Sequence, residues 1–314
     1  MRIHAVATLA ALLGVAAPTA VGVHRARGAD PVASTRRAAR TLPPAASPAT
    51  VPPAAGPPAG AARIPSVATA ALRLPAGAGA ARLQDFPYHP YTARWTFVRI
   101  RTNMGGGRNG FGRGFRGRDP GWHHDYPDAD RNFSKILNEI TYVFTLLDEW
   151  GGNILTFDDP RLSQFPIAYV SEPGQWSVTP EEAKGLRDYL LKGGFVIFDD
   201  FGGYDMYNLA EQMKIVMPEH EWLRLDATDA VFDSFFKIDP DHLILNRSNS
   251  YRGDPEFWGL FEGNDHSKRM IAIAGNDGDF GEFWEFSDRG FYPIDLSNEA
   301  YKVGVNYVIY ALTH

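Results

Sequence analysis

Cysteine is absent from all 314 residues of the chain. That excludes disulfide bonds, thiolate metal sites and cysteine nucleophiles in any compartment. No Gly-x-Ser-x-Gly segment supplies a serine elbow instead. The glycine-rich stretch 103–118 is not followed by Gly-Lys-Ser/Thr, so it is not a phosphate-binding P-loop. An excess of positive charge is also missing. The formal net charge of -6 argues against general nucleic-acid binding, and no nucleic-acid partner is expected. Beyond the N-terminus no apolar run is long enough to read as transmembrane.

Aromatic residues are missing from Val21 to Arg82, where Ala and Pro dominate. Pro43-Pro44, Pro52-Pro53 and Pro57-Pro58 rule out regular helix or sheet there. Residues 29–82 therefore read as a disordered, semi-stiff linker. Ahead of it, Arg2 and His4 form a short n-region and Ala5 to Ala17 an apolar h-region. Small residues around Ala17 to Ala20 suit a cleavage site. Residues 1–28 are read as a signal peptide or apolar leader, so the expected location is periplasmic or secreted. The alternative is an alanine-rich leader on a cytoplasmic protein. If the leader is retained it is the one expected membrane contact, with the linker as spacer.

From Leu83 the composition becomes that of a folded domain, and 44% of the whole chain is hydrophobic, enough for a sizeable core. Trp95 to Arg101 reads as a strand. The segment Asn103 to Arg118 carries Arg108, Arg113, Arg116 and Arg118 without an acid. It reads as a surface loop, with anion or RNA binding as the competing reading. Phe133, Ile136, Leu137, Ile140, Val143, Phe144 and Leu147 recur at helical spacing, with Asp130 or Asn132 as cap. Strands are expected at Asn153 to Phe157 and Phe165 to Val170. Thr179-Pro180-Glu181-Glu182 is a capping box that opens a helix ending at Gly193. A further helix is expected over Met206 to Val216, short strands at Leu223 to Leu225 and Leu243 to Asn246, and a polar aromatic loop from Arg247 to His266. Arg269 to Ala274 reads as a buried strand, and a last helix runs to Leu312.

The organising stretch is Lys192 to Gly203. Phe195 to Phe198 is an unbroken apolar run, as in a strand buried on both faces. Asp199 and Asp200 follow it, and Gly202-Gly203 lets the chain turn. Strands alternating with helices predict a three-layer α/β/α sandwich with a mainly parallel sheet. Ligands in such sheets bind outside the carboxyl ends of the strands, where Asp158, Asp159, Glu172, Asp199, Asp200, Asn276 and Asp277 would gather.

Several pieces in this order resemble one family. They are Phe97-Val98-Arg99-Ile100, the Trp122-x-x-Asp125-Tyr126-Pro127-x-Ala129-Asp130-x-Asn132-Phe133 segment, and Leu186-Arg187-x-Tyr189-Leu190-x-x-Gly193-Gly194-Phe195 leading to Asp199-Asp200. Asn276-Asp277-Gly278-Asp279 and Gly304-Val305-Asn306 complete the set. Residues 95–314 look like the bacterial domain of unknown function 4159. That family is similar in fold to the class I glutamine amidotransferase-like superfamily, which includes the ThuA-like proteins linked to sugar metabolism. The resemblance implies a flavodoxin-like sheet and no established reaction. The superfamily's nucleophilic cysteine has no counterpart here, because Asp199-Asp200 stands at the comparable strand end. Glutamine hydrolysis by a thiolate is excluded.

Two functions are carried forward. The first is a non-catalytic module that holds a small-molecule or cell-envelope ligand at the acidic edge. Its contacts would be Trp122, Tyr126, Asp128, Glu172, Asn276, Asp277 and Trp258, with Trp176, Tyr251 and Trp284 as further aromatics. The second is a carboxylate-dependent hydrolase acting on a sugar-like or amide substrate, with Asp199, Asp200 and Asp125 as acid and base. A divalent metal would assist it, held by His124, Asp125 and Asp199. Against a metal, Asp128 and Asp130 suit a helix N-terminus, and His123 and His124 point apart in most backbones. Asp277, Asp279 and Glu282 hint at calcium, but Asn-Asp-Gly is ordinary turn chemistry.

Overall fold

The computed structural model describes residues 86–103, 121–247 and 254–314. The leader, the linker, the Arg-Gly segment and Tyr251 lie outside them. One sheet organises the fold. Its strands are β1 (Val98–Ile100), β2 (Asn153–Leu155), β3 (Ile167–Ser171), β4 (Phe195–Phe201), β5 (Trp222–Arg224), β6 (Glu256–Phe261) and β7 (Met270–Asn276), in the order β2-β1-β3-β4-β7-β6-β5. β2, β1, β3, β4 and β7 run parallel, and β6 is antiparallel to both its neighbours. The parallel part has the flavodoxin-like order 2-1-3-4-5.

Helices α1 (Asp128–Ile140), α2 (Pro180–Leu191), α3 (Asp205–Val216), α4 (Phe280–Glu285) and α5 (Ile294–Thr313) cover the sheet. Alternation along β4 shows the layering: Phe195 and Ile197 pack with Phe133, Trp284 and Val305 from α1, α4 and α5. Val196 and Phe198 pack with Leu186, Leu190, Leu209 and Met213 from α2 and α3. Both faces are covered, so β3, β4 and β7 are buried throughout and read as nearly continuous apolar runs. Among the described residues no helix is long and apolar enough to cross a membrane.

Four expectations need correction. The helical periodicity runs to Leu147, yet α1 stops at Ile140. Thr141 turns its hydroxyl onto Leu137 O at 2.6 Å, and the chain beyond pairs with Trp95 (Trp95 N to Phe144 O and Leu146 N to Trp95 O, both 2.8 Å). The β-branched and aromatic Val143, Phe144 and Thr145 favour that extended path. Second, Leu243 to Asn246 is not a strand; Ile244–Arg247 is a 3-10 turn. Third, the aromatic loop after Arg247 contains β6, whose Gly259 lets the strand pass Met270 and Phe261, where a Cβ would lie 2.7 Å from either side chain. Fourth, β4 continues past Phe198, so Asp199 and Asp200 lie inside the strand, before the turn.

Candidate functional site

Between Phe198 and Phe201, β4 carries one more residue than the facing part of β7. This bulge reorients side chains, and Asp200 takes a left-handed φ of 60° within it. The two neighbouring carboxylates thereby serve different surroundings. Asp199 turns inward and accepts hydrogen bonds from Tyr169 Oη at 2.8 Å, Phe280 N at 3.3 Å and Gly281 N at 3.0 Å. Burial, with Asp200 adding to it, raises its pKa. Asp199 thus fastens β3 and α4 to β4, and it is not in the cluster that could hold a metal.

Asp200 meets His124 instead: His124 Nδ1 lies 2.6 Å from Asp200 Oδ2, with Ser171 Oγ at 3.4 Å. His124 and Asp125 reach this point on the loop between β1 and α1. Arg99 in β1 holds that loop by its carbonyls, donating from Nη1 to Trp122 O at 3.1 Å and His124 O at 2.9 Å. Asp125 has φ 63°, and Glu172, directly after β3, has φ 47°. Glu172 Oε1 lies 4.0 Å from His124 Nδ1, and Asp125 Oδ1 lies 3.4 Å from the same nitrogen. Gly121 leaves room for the rim, since a Cβ there would be 2.2 Å from Glu172 Oε2.

His124, Asp125 and Asp200 each offer one ligand atom, all within 4.8 Å of one another. Atoms bound to one cation at about 2.1–2.4 Å can be at most about 4.2–4.8 Å apart, so this spacing suits a shared ion. The Asp125 side chain is only 1% exposed, and its Oδ2 points at α4, where a Cβ on Gly281 would lie 2.6 Å away, while Oδ1 is the oxygen placed near His124. The carboxyl group of Glu285 faces Asp125 from α4. Two carboxyl groups in contact call for a proton or a cation between them. Burial first, and then Asp200, pushes the Asp125 pKa well up; burial also raises Glu285. The hydrogen bond to Asp200 lifts His124 to about 10, against the opposing effect of burial. The pairing with Asp200 thus favours the protonated imidazole.

Other sequence candidates lie apart from this cluster or support it. Trp122 is buried with its ring 5.9 Å from Phe86 and 6.4 Å from Tyr126, so both candidate aromatics pack the loop. Asp128 pairs with Arg131 at 2.9 Å and with Arg289. Asn276 bonds Asp277 at 3.2 Å, and Asp277 accepts from Gly203 N at 3.1 Å, which ties the end of β7 to the turn after β4. Asp279 caps α4 through Glu282 N at 3.2 Å, the turn reading of that stretch. Trp258 pairs with Ala274 in β6, under Arg224 at 5.7 Å, away from the cluster. Trp176 and Trp284 are core. Sequence reasoning missed Glu285, whose short helix gives no periodic signal. It also missed Arg99, whose signal was present as a lone cation in an apolar strand.

The cluster sits where the topology leads one to look. The chain leaves β1 for α1 on one face and β3 for α2 on the other, although β1 and β3 are neighbours. That is a topological switch point, and crevices form at the carboxyl ends of strands there. Fold and site together define a mainly parallel α/β domain with a histidine–carboxylate cluster at its switch point. The family model described as Domain of unknown function (DUF4159) matches residues 96–312, and the chain belongs to that family. Among curated proteins, none matches the chain.

Proposed function

We propose that this domain binds one divalent cation through His124, Asp125 and Asp200, with Glu172 at the rim, and uses it to hold an oxygen-rich small-molecule ligand. One observation carries the reading: His124, Asp125 and Asp200 bring a ring nitrogen and two buried carboxylates within 4.8 Å of one another at the carboxyl edge of the sheet. A cation bound there would take the place of the proton that His124 shares with Asp200. One nitrogen and several oxygens suit Zn²⁺ or Mn²⁺ better than a soft ion. Three of the six non-glycine residues with positive φ among the described ones are Asp125, Glu172 and Asp200. Such backbone is costly and concentrates where function over-rules local preference.

The test is a thermal melt of the full-length chain, stripped with chelator and titrated with Mn²⁺, Zn²⁺, Ca²⁺ and Mg²⁺. An ion at ~100 times its dissociation constant adds about 2.7 kcal/mol if it binds only the folded state. The shift should vanish in His124→Gln and in Asp200→Asn. No shift with any ion ends this reading.

A hydrolytic use of the same ion is the second reading. Its support is that three protein donors leave positions for water, and that Glu172 beside them is 36% exposed along its side chain. Cation-dependent turnover of ester, amide or glycoside substrates by the wild type, lost in Asp200→Asn, would favour it over simple binding. The order of the parallel strands and the motif order support kinship in fold with the glutamine amidotransferase-like and ThuA-like proteins. The apolar leader after Arg2 supports export, and N-terminal sequencing of protein from the periplasm or medium tests it.

A further inference from the structure

Arg99 is the one charged residue in β1, between Val98 and Ile100, and it is 1% exposed. Its Nε donates to both oxygens of Asp130, at 3.2 and 3.0 Å, in the first turn of α1. Its Nη1 donates to the carbonyls of Trp122 and His124, as described. Its guanidinium lies 5.0 Å from the ring centre of Tyr169, the residue that bonds Asp199. One planar group therefore joins β1, α1, β3 and the loop that carries two of the three cation ligands.

Stability alone is a poor reason for such an arrangement. Burying an ion pair costs desolvation, and well-packed apolar replacements of a pair are often neutral or stabilising. An apolar pair could not, however, grip two loop carbonyls. The carbonyl of His124 belongs to the peptide leading into Asp125, which has a left-handed φ of 63°, a conformation uncommon for any residue but glycine although aspartate tolerates it better than most. Fixing that peptide plane fixes the directions in which both side chains leave the backbone. We infer that Arg99, with Asp130 as its counter-ion, is the positioning residue that presents His124 and Asp125 to the cation opposite Asp200. The inference rests on the cation reading above. Arg99 touches neither the ion nor the ligand in it and acts through the loop.

Three variants of the full-length chain separate positioning from packing. Arg99→Lys keeps the charge but loses the fork that spans two carbonyls and a carboxylate. The double variant Arg99→Met/Asp130→Leu removes the pair without leaving a lone buried charge. Asp130→Asn keeps an acceptor for Arg99 Nε. Each is titrated with Mn²⁺, followed by the electron paramagnetic resonance signal of the free ion, well below its own melting temperature. Groups that orient metal ligands are worth on the order of 10–100-fold in affinity. Arg99→Lys and the double variant should lose affinity in that range while the double variant melts near the wild type, and Asp130→Asn should retain most of it. Wild-type affinity in a folded double variant overturns the inference and leaves the cation reading standing. If the double variant shows no cooperative melt, Arg99→Lys decides in the same way. A wild-type chain that does not bind Mn²⁺ overturns both.

Discussion

Gly281→Ala tests the site geometry from a position that bears no functional group. Gly281 lies in α4, and its N–H donates to Asp199. In a helix interior, alanine is favoured over glycine by about 0.8–1 kcal/mol, an upper bound for Gly281, which stands in the first turn two residues after the cap Asp279. Propensity alone therefore predicts a more stable protein. The structure predicts the reverse, because a Cβ would lie 2.6 Å from Asp125 Oδ2 and 2.9 Å from Tyr169 Oη. Neither neighbour can easily give way. The Tyr169 hydroxyl ends a rigid ring held by Asp199, and Asp125 is a short, buried side chain on a loop clamped by Arg99. Overpacking of this kind costs about 1–3 kcal/mol. Subtracting even the full helical gain leaves a net loss of roughly 0–2 kcal/mol, or a fall of up to about 8 °C in a domain of this size. Calorimetry on wild type and variant measures it, and Mn²⁺ titration reports on the displaced Asp125. The two readouts should fall together. A melting temperature above that of the wild type would refute the placement of the Asp125 carboxylate against α4, and with it the cluster.

Two predictions concern the charge state of the cluster and the start of α2. His124 has its pKa raised from 6.5 to about 10, chiefly by Asp200, so its contribution to stability is complete below pH 6.5 and fades as the pH rises through about 10. Chelated protein should therefore lose melting temperature over that alkaline interval, and His124→Gln should flatten this part of the profile; an unchanged slope would refute the pairing. Thr179→Ala removes the acceptor of Glu182 N at 3.2 Å and half of a reciprocal cap. About 1 kcal/mol should be lost in denaturant unfolding, with the cation response intact.

The parts of the fold that were legible in the sequence are those where local chemistry and tertiary packing agree. Thr179-Pro180-Glu181-Glu182 starts α2 as read, because the cap is complete within four residues. Phe195 to Phe198 is strand as read, and the strand read as Arg269 to Ala274 is β7 from Met270 onward, because both faces of the central sheet are covered. Legibility ended where distant chain decided. Val143 and Leu147 fit a helical stripe, but the backbone of Trp95 offered the segment a partner. The strand β6 was obscured by its aromatic and glycine content near the sheet edge. For the site, residue types were legible and partners were not. Asp199 and Asp200 are equivalent in sequence, and only the bulge in β4 assigns one to the interior and the other to His124.

That assignment bears on why the site takes this form. A regular strand sends alternate side chains to opposite faces, so two adjacent carboxylates in β4 could not both serve the edge of the sheet. One extra residue and a left-handed Asp200 bring the second carboxylate to the loop from β1, while the first stays behind as the anchor of α4. The loop in turn needs its own left-handed residue, Asp125, and a buried cation beneath it. Each departure from local preference is costly by itself, of order 1–3 kcal/mol for a strained residue. Those at Asp125 and Asp200 meet at His124. Under the cation reading the bound ion offsets the strain at these residues, and relieving that strain should cost cation affinity before it costs the fold.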